Sequence, residues 1–224
     1  MCGRYGYTAA PNDMTQRFNV QPVIEGLQLR FNVAPSQTMP VVVRHSPNHV
    51  EFMRWGLIPR WAKEPNSGLR TINARAETVA EKRTYRRPLQ SQRCLVPASG
   101  FYEWRQSEGG KVPHWIYLPD EPLFAFAGLW DTWTSPAGDE VQSYTIITCE
   151  ANAFMARIHS RMPVILTREA EDEWLDPDSV EPERLLPLLR PYPGGMAAYP
   201  VSRAVNNPRN DSRDLLRPVG TAAG

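Results

Sequence analysis

The sequence predicts an α+β fold, with strongly bent antiparallel sheets forming an open barrel-like core and helices at its periphery. Three observations carry this expectation. Short β-rich runs punctuated by Pro, Gly and Asn fill the middle of the chain, helical signals sit mainly towards its ends, and the composition suits a packed, loop-rich domain. Pro and Gly together make up about 16% of the 224 residues, below the roughly 25–30% of low-complexity disorder, and the net charge is +1. A chain of this length buries roughly 70–75% of its unfolded surface, so one domain over residues 1–224 can build a core without disulfides or structural metal.

Residues 11–30 read as short helical pieces after Pro11, with Met14, Phe18 and Val20 on an imperfect apolar face. Residues 38–44 and 51–57 are β-rich runs whose connection contains Pro47 and Asn48, which predicts a hairpin. His45 and His49 have the i, i+4 spacing of a helical zinc pair, but Pro47 argues against that helix. Residues 71–78 show neither alternation nor helical period. Strands are expected over 93–97, 100–105, 112–118, 123–130 and 143–148, and the near-continuous apolarity of 123–130 places that strand centrally. Residues 151–157 are a helical candidate, Thr167 can cap a helix carrying Glu169, Glu171 and Asp172 in its first turns, and 183–189 puts leucines on one side. Residues 221–224 read as a frayed end.

No apolar run approaches the ~18 residues of a membrane span and no signal-peptide core follows the N-terminus, so a cytoplasmic location is expected. Cys2, Cys94 and Cys149 are too widely spaced for a disulfide framework or a CxxC metal pair, and no metal or cofactor is implied. Charge is uneven. Residues 54–93 hold ten basic side chains against three acidic ones, whereas 168–190 hold eight acids against three arginines. The arginine-rich segment suits phosphate recognition.

Cys2 opens the chemistry. Removal of Met1 would leave a 1,2-aminothiol whose amine, near pKa 8, and thiol, about 8.5, are both partly nucleophilic at neutral pH. Such a group condenses with an aldehyde to an imine, which the thiol closes to a five-membered thiazolidine. An ordinary penultimate cysteine is the alternative. In residues 100–104 (GFYEW), Glu103 lies among aromatics, a setting suited to an acid or base working near neutrality, or else faces solvent on a strand. His159 and Arg161 would share one face of an extended segment and could couple proton transfer to phosphate binding; a capping histidine beside a solvated arginine is the other reading.

Beyond these residues the chain resembles the SRAP family, the SOS-response-associated or abasic-site-processing proteins. The resemblance rests on residues 1–4 (MCGR), 31–35 (FNVAP), 55–59 (WGLIP), 72–78 (INARAET), 97–104 (PASGFYEW), 126–130 (FAGLW), 158–163 (IHSRMP) and 201–206 (VSRAVN), in the family's order over nearly the whole chain. It implies a covalent crosslink between Cys2 and the ring-opened aldehyde of an abasic site in single-stranded DNA. On that analogy Asn73 holds the opened sugar or the N-terminal amine, and Glu103 and His159 handle protons. Glu103 could also assist Met1 removal, in keeping with the older peptidase name, and an uncyclised imine could give lyase activity by β-elimination.

Arg4, Arg75 and Arg161 would hold phosphates, and Trp61 and Trp104 are candidates for stacking or wedging at a junction such as a stalled fork. The implied protein is a monomer, nucleoid-associated when acting on DNA. Arg60-Trp61 departs from an aromatic pair of some bacterial members, and Cys94 and Cys149 are expected to be buried thiols. Two other classes stand beside this one. A cysteine peptidase would use Cys2, His159 and Glu103 or Asn73, and a noncovalent single-strand-binding module would use the basic 54–93 segment.

Overall fold

The computed structural model describes residues 2–21, 26–44 and 48–220. In chain order its elements are β1 (Arg4–Tyr7), α1 (Pro11–Phe18), β2 (Arg30–Val33), β3 (Thr38–Val43), β4 (His49–Trp55), β5 (Asn73–Arg75), α2 (Arg83–Ser91), β6 (Arg93–Ala98), β7 (Gly100–Ser107), β8 (Gly110–Tyr117), β9 (Phe124–Thr134), β10 (Glu140–Glu150), β11 (Arg161–Pro163), α3 (Arg168–Leu175), α4 (Pro182–Leu185) and β12 (Ala197–Pro200). The barrel-like α+β expectation is borne out, and the barrel closes. Strands β4, β3, β6, β9 and β10 pair in that order, and β10 returns to β4 in parallel register, Ser143 opposite Arg54. A second sheet runs β12-β8-β7-β1-β2.

Long β10 links the barrel to the site. Its first half lies between β9 and β4; its second half, Ile146 to Glu150, pairs with short β5 (Asn73 opposite Ile146) and with β11 (Arg161 opposite Glu150). The chain crosses from barrel to second sheet at Ala98-Ser99-Gly100, where β6 runs into β7. Only glycine fits at 100, because a Cβ there would lie 2.2 Å from the Trp115 ring. Gly56, at φ +117°, likewise turns the chain out of β4 against the carbonyl of Gly68.

The core between the sheets is aromatic. Tyr5 hydroxyl and Tyr144 hydroxyl are 2.7 Å apart, Trp55 meets Tyr5 edge-on at 5.2 Å, and the Trp55 indole N–H donates to the Ile72 carbonyl at 2.9 Å. That last bond pins the residue before Asn73 to the core. The β3–β4 hairpin forms with Val43 opposite His49; His45 and most of the turn lie outside the described residues, as do residues 221–224. No group of His, Cys, Asp or Glu among the described residues is arranged to hold a metal. No helix among them is long and apolar enough to cross a membrane.

Several expectations change. Within 11–30 the described residues form helix over α1, which buries Met14 and Phe18, and Arg30 begins a strand instead; residues 22–25 of that expectation lie outside the described residues. The helix expected at 151–157 is a single 3₁₀ turn, Met155–Arg157. Thr167 does cap α3, its hydroxyl accepting from the Ala170 N–H at 3.4 Å. Helix α2 was not anticipated, although Tyr85, Pro88 and Leu89, its buried residues, have the i, i+3, i+4 spacing of one helical face. Arg93, counted with the basic segment, is buried and donates to the carbonyls of Leu89, Gln90, Trp174 and Asp176, so it fastens helix ends rather than facing solvent.

Candidate active site

Strand β1 pairs antiparallel with β7, Arg4 opposite Tyr102 and Tyr5 opposite Phe101, which brings the start of the chain towards Glu103. Cys2 is fully buried. Asn73 Nδ2 donates to the Cys2 carbonyl at 2.9 Å, a contact across 71 residues. The Asn73 carbonyl in turn accepts from the Tyr85 hydroxyl at 3.3 Å, tying the start of β5 to α2. Asn73 Oδ1, the other end of the same amide, is buried and accepts no hydrogen bond among the described residues. An amide that uses its donor on Cys2 thus presents an unused acceptor in the interior, a costly arrangement unless a donor arrives.

Alternation along β7 puts Phe101 and Glu103 towards the main core and Tyr102 and Trp104 towards a second cluster with Trp115, Val201 and Val205. Glu103 is 2% exposed, so the solvent-facing alternative is corrected. The Cys2 thiol lies 4.0 Å from the Arg4 carbonyl. Burial first, and the Glu103 carboxylate second, push this thiol far above its ordinary value. The expectation of a partly ionised thiol at neutral pH is therefore corrected. The buried setting favours the S–H form of Cys2. Cys94 and Cys149 are buried free thiols, as expected.

His159 lies in the connection from β10 to β11. The chain bends at Ser160, so His159 and Arg161 are related by a turn and not by strand alternation, which corrects the shared-face argument. The Arg161 backbone N–H donates to His159 Nδ1 at 3.0 Å, and the same ring nitrogen lies 3.3 Å from the Arg161 carbonyl. The Arg161 guanidinium makes two bonds to Glu77, at 2.6 and 3.0 Å, and one to the Thr148 carbonyl at 2.7 Å. That pairing holds the Glu77 carboxyl below its usual range. β5 and β11 flank the same half of β10, so Asn73 and Arg161 stand at one end of the barrel.

The remaining candidates separate. The Arg4 guanidinium donates to Asn32 Oδ1 and to the carbonyls of Val205 and Asn206, at 2.9, 2.7 and 3.1 Å, and so clamps β1 to the 3₁₀ turn Arg203–Asn206. Trp104 donates from its indole nitrogen to Asn206 Oδ1 at 2.8 Å, beside that clamp. Arg75 is exposed and makes no side-chain hydrogen bond or ion pair among the described residues. Trp61 is 49% exposed, with the Arg83 guanidinium 4.8 Å from its ring centroid. Arg83 and Glu77 are residues that sequence reasoning missed as partners. Glu77 lay within the 72–78 motif, but nothing local joins it to Arg161, or Arg83 to Trp61.

Comparison with known proteins gives a consistent result. The family described as SOS response associated peptidase (SRAP) matches residues 1–208. The abasic site processing protein YoqW of Bacillus subtilis (strain 168) is 45% identical over 221 residues, covering 96% of this chain and 99% of that protein. The abasic site processing protein HMCES of Gallus gallus is 38% identical over 84% of this chain and 66% of its own length. A crystal structure of a protein from Bacteroides thetaiotaomicron superposes with a TM-score of 0.88 at 30% identity, covering 97% of this chain and 100% of that one. A matched span of 208 residues, a relative at 45% identity and a shared fold together show that this chain belongs to the SOS response associated peptidase family.

Proposed function

We propose that the protein acts on abasic sites in single-stranded DNA, forming a covalent thiazolidine through Cys2 once Met1 has been removed. The observation that carries this reading is Asn73, which holds the Cys2 carbonyl while keeping a buried, unused acceptor beside it. A Cys2 α-amine is the donor such an acceptor suits. As a neutral group, Asn73 orients the amine without stabilising its protonated, unreactive form. The names of the relatives YoqW and HMCES, both abasic site processing proteins, support the same substrate.

The amine adds to the C1 aldehyde of the opened deoxyribose and loses water to give an imine, with His159 and Glu103 moving the protons. The Cys2 S–H then adds across C=N. Carbon–sulfur bond formation is matched by transfer of the thiol proton to nitrogen, and Glu103, whose charge acts on this thiol, relays it. Closure withdraws the imine from β-elimination, so lyase activity is a side path. Arg75 and Arg161 hold flanking phosphates. Arg161 is kept rigid by Glu77, whereas Arg4 acts by clamping β1. Trp61 with Arg83 above it supplies a stacking surface at an unpaired base or fork junction, and Trp104 supports the site through Asn206. One chain holds Cys2, Asn73 and Glu103 together, which supports action as a monomer.

A cysteine peptidase acting through the same Cys2 would instead turn over peptides in trans and leave no stable adduct on DNA. Incubation of the purified protein with single-stranded DNA bearing one abasic site, read on a denaturing gel beside undamaged DNA and Cys2→Ala, tests the proposal. A heat-stable adduct requiring both Cys2 and the lesion is expected. No adduct from protein whose N-terminus is verified as free cysteine would contradict it.

A further inference from the structure

A groove of about 310 Å³ adjoins the site and is lined by Arg105, His114, Phe154, Arg157, Ile158 and Pro200, within the lower range of ligand-sized clefts. Its position follows from the ladder. His114 sits opposite Glu103 in the β7–β8 register and Pro200 sits opposite His114 in β8–β12, so directly paired residues place all three on one sheet face. Arg105, two residues beyond Glu103, shares that face. Phe154, Arg157 and Ile158 come from the turn that leads into His159. The groove is thus lined by neighbours of two candidate site residues, by His114 opposite Glu103 on the sheet and by Ile158 next to His159 on the turn.

Its chemistry is one-sided. No carboxylate lines it among the described residues, and both arginines are exposed. The Arg157 guanidinium lies 4.9 Å over the Phe154 ring, which orients it before any ligand arrives. His114 Nδ1 donates to the Val112 carbonyl at 3.0 Å, leaving Nε2 as an acceptor on the neutral ring. Two cations, an apolar wall and one acceptor match a nucleotide unit.

We propose that this groove seats the nucleotide next to the lesion, with Arg105 and Arg157 on its phosphates and its base against Phe154, Ile158 and Pro200. The inference rests on the single-stranded-DNA reading above and adds a flank-specific subsite, which ties binding strength to the chain on one side of the lesion.

Noncovalent binding tests it separately from the crosslink. The probe is a fluorescent single strand carrying a tetrahydrofuran abasic analogue, which has no aldehyde, titrated by anisotropy over a range of salt. Arg105→Gln with Arg157→Gln is expected to bind several-fold more weakly and to lower the salt slope by about 1.4, or about 0.7 for each single-strand phosphate that the variant no longer neutralises. Melting temperature reports on folding, and both positions are exposed. Strands truncated on one or the other side of the analogue supply the decisive comparison. The difference between wild type and variant should vanish when one flank is removed and persist when the other is. Equal slopes and affinities for wild type and variant on every strand would overturn the subsite, as would a variant effect that survives removal of either flank. Because the analogue cannot crosslink, absence of adduct on true abasic DNA would refute the covalent reading alone.

Discussion

At the scale of single residues, the proposed site turns on Asn73, which is bonded to the Cys2 carbonyl, and on Glu103, whose charge acts on the buried Cys2 thiol. Asn73→Ala removes the bond to the Cys2 carbonyl, a loss of about 1.5–3 kcal/mol where a buried partner is stranded, so adduct formation is expected to slow roughly 10–100-fold in single-turnover assays. Asn73→Asp puts a carboxylate beside the amine and favours its protonated form; the rate optimum should move to higher pH. Glu103→Gln removes the nearby negative charge acting on the thiol and also the proton relay. The imine should then persist, seen as a larger borohydride-trapped fraction than in wild type. The aromatic company of Glu103 was readable in the sequence, but strand alternation left burial and solvent exposure both open until the β7 pairing settled it. The Asn73–Cys2 contact was not readable from spacing, because nothing local in either segment encodes a partner 71 residues away. His159 and Arg161 were adjacent in sequence, yet the bend at Ser160 changed how they meet.

At the scale of elements, the site depends on how β7 leaves the barrel and how the helices fasten it. Gly100→Ala drives a Cβ into Trp115; a cost of about 1–3 kcal/mol in denaturant unfolding is expected, with slower crosslinking as Glu103 shifts with its strand. Helix α1 is fastened to α3 by Arg17 and Glu171, joined by two 2.7 Å bonds, with side chains only 9% and 7% exposed. Glu171→Ala leaves the guanidinium buried without its main partner and should cost about 3–5 kcal/mol, whereas a Glu173→Ala change at the exposed Arg184 pair should cost less than about 1. Strands β6 to β10 were legible because each carries a sustained β-rich run bounded by turn residues. β1, β5 and β12 span three or four residues and exist through their neighbours, so no run of their own marks them. Helix α2 escaped notice because Arg83, Arg86 and Arg87 outweigh its short apolar face.

At the scale of the whole molecule, burial of ionisable groups sets a limit on alkaline stability. Burial raises Cys2, Cys94, Tyr5, Tyr7 and Tyr102 above their ordinary values. These groups stay protonated in the fold but ionise freely in the unfolded chain, from about pH 8.5 for cysteine and 10 for tyrosine. Their contribution is therefore complete below about pH 8 and lost as pH rises, and melting temperature should fall progressively above about pH 9. The near-neutral net charge concealed an exposed set, Arg60, Lys63, Arg70, Arg75, Lys82, Arg83, Arg86 and Arg87, balanced by the acidic residues of 168–190. That asymmetry was legible, although buried Arg93 and half-buried Arg54 had to be removed from it. In the proposed function, Cys2 closes a ring on the lesion under the control of Asn73 and Glu103. This closure is tested most directly by the intact mass of the adduct on abasic single-stranded DNA, with and without borohydride. The expected species lacks Met1, weighs one water less than protein plus DNA, and is unchanged by borohydride. A product that gains two hydrogens on reduction would mean that no thiazolidine forms, and the absence of any covalent species from free-Cys2 protein would contradict the account altogether.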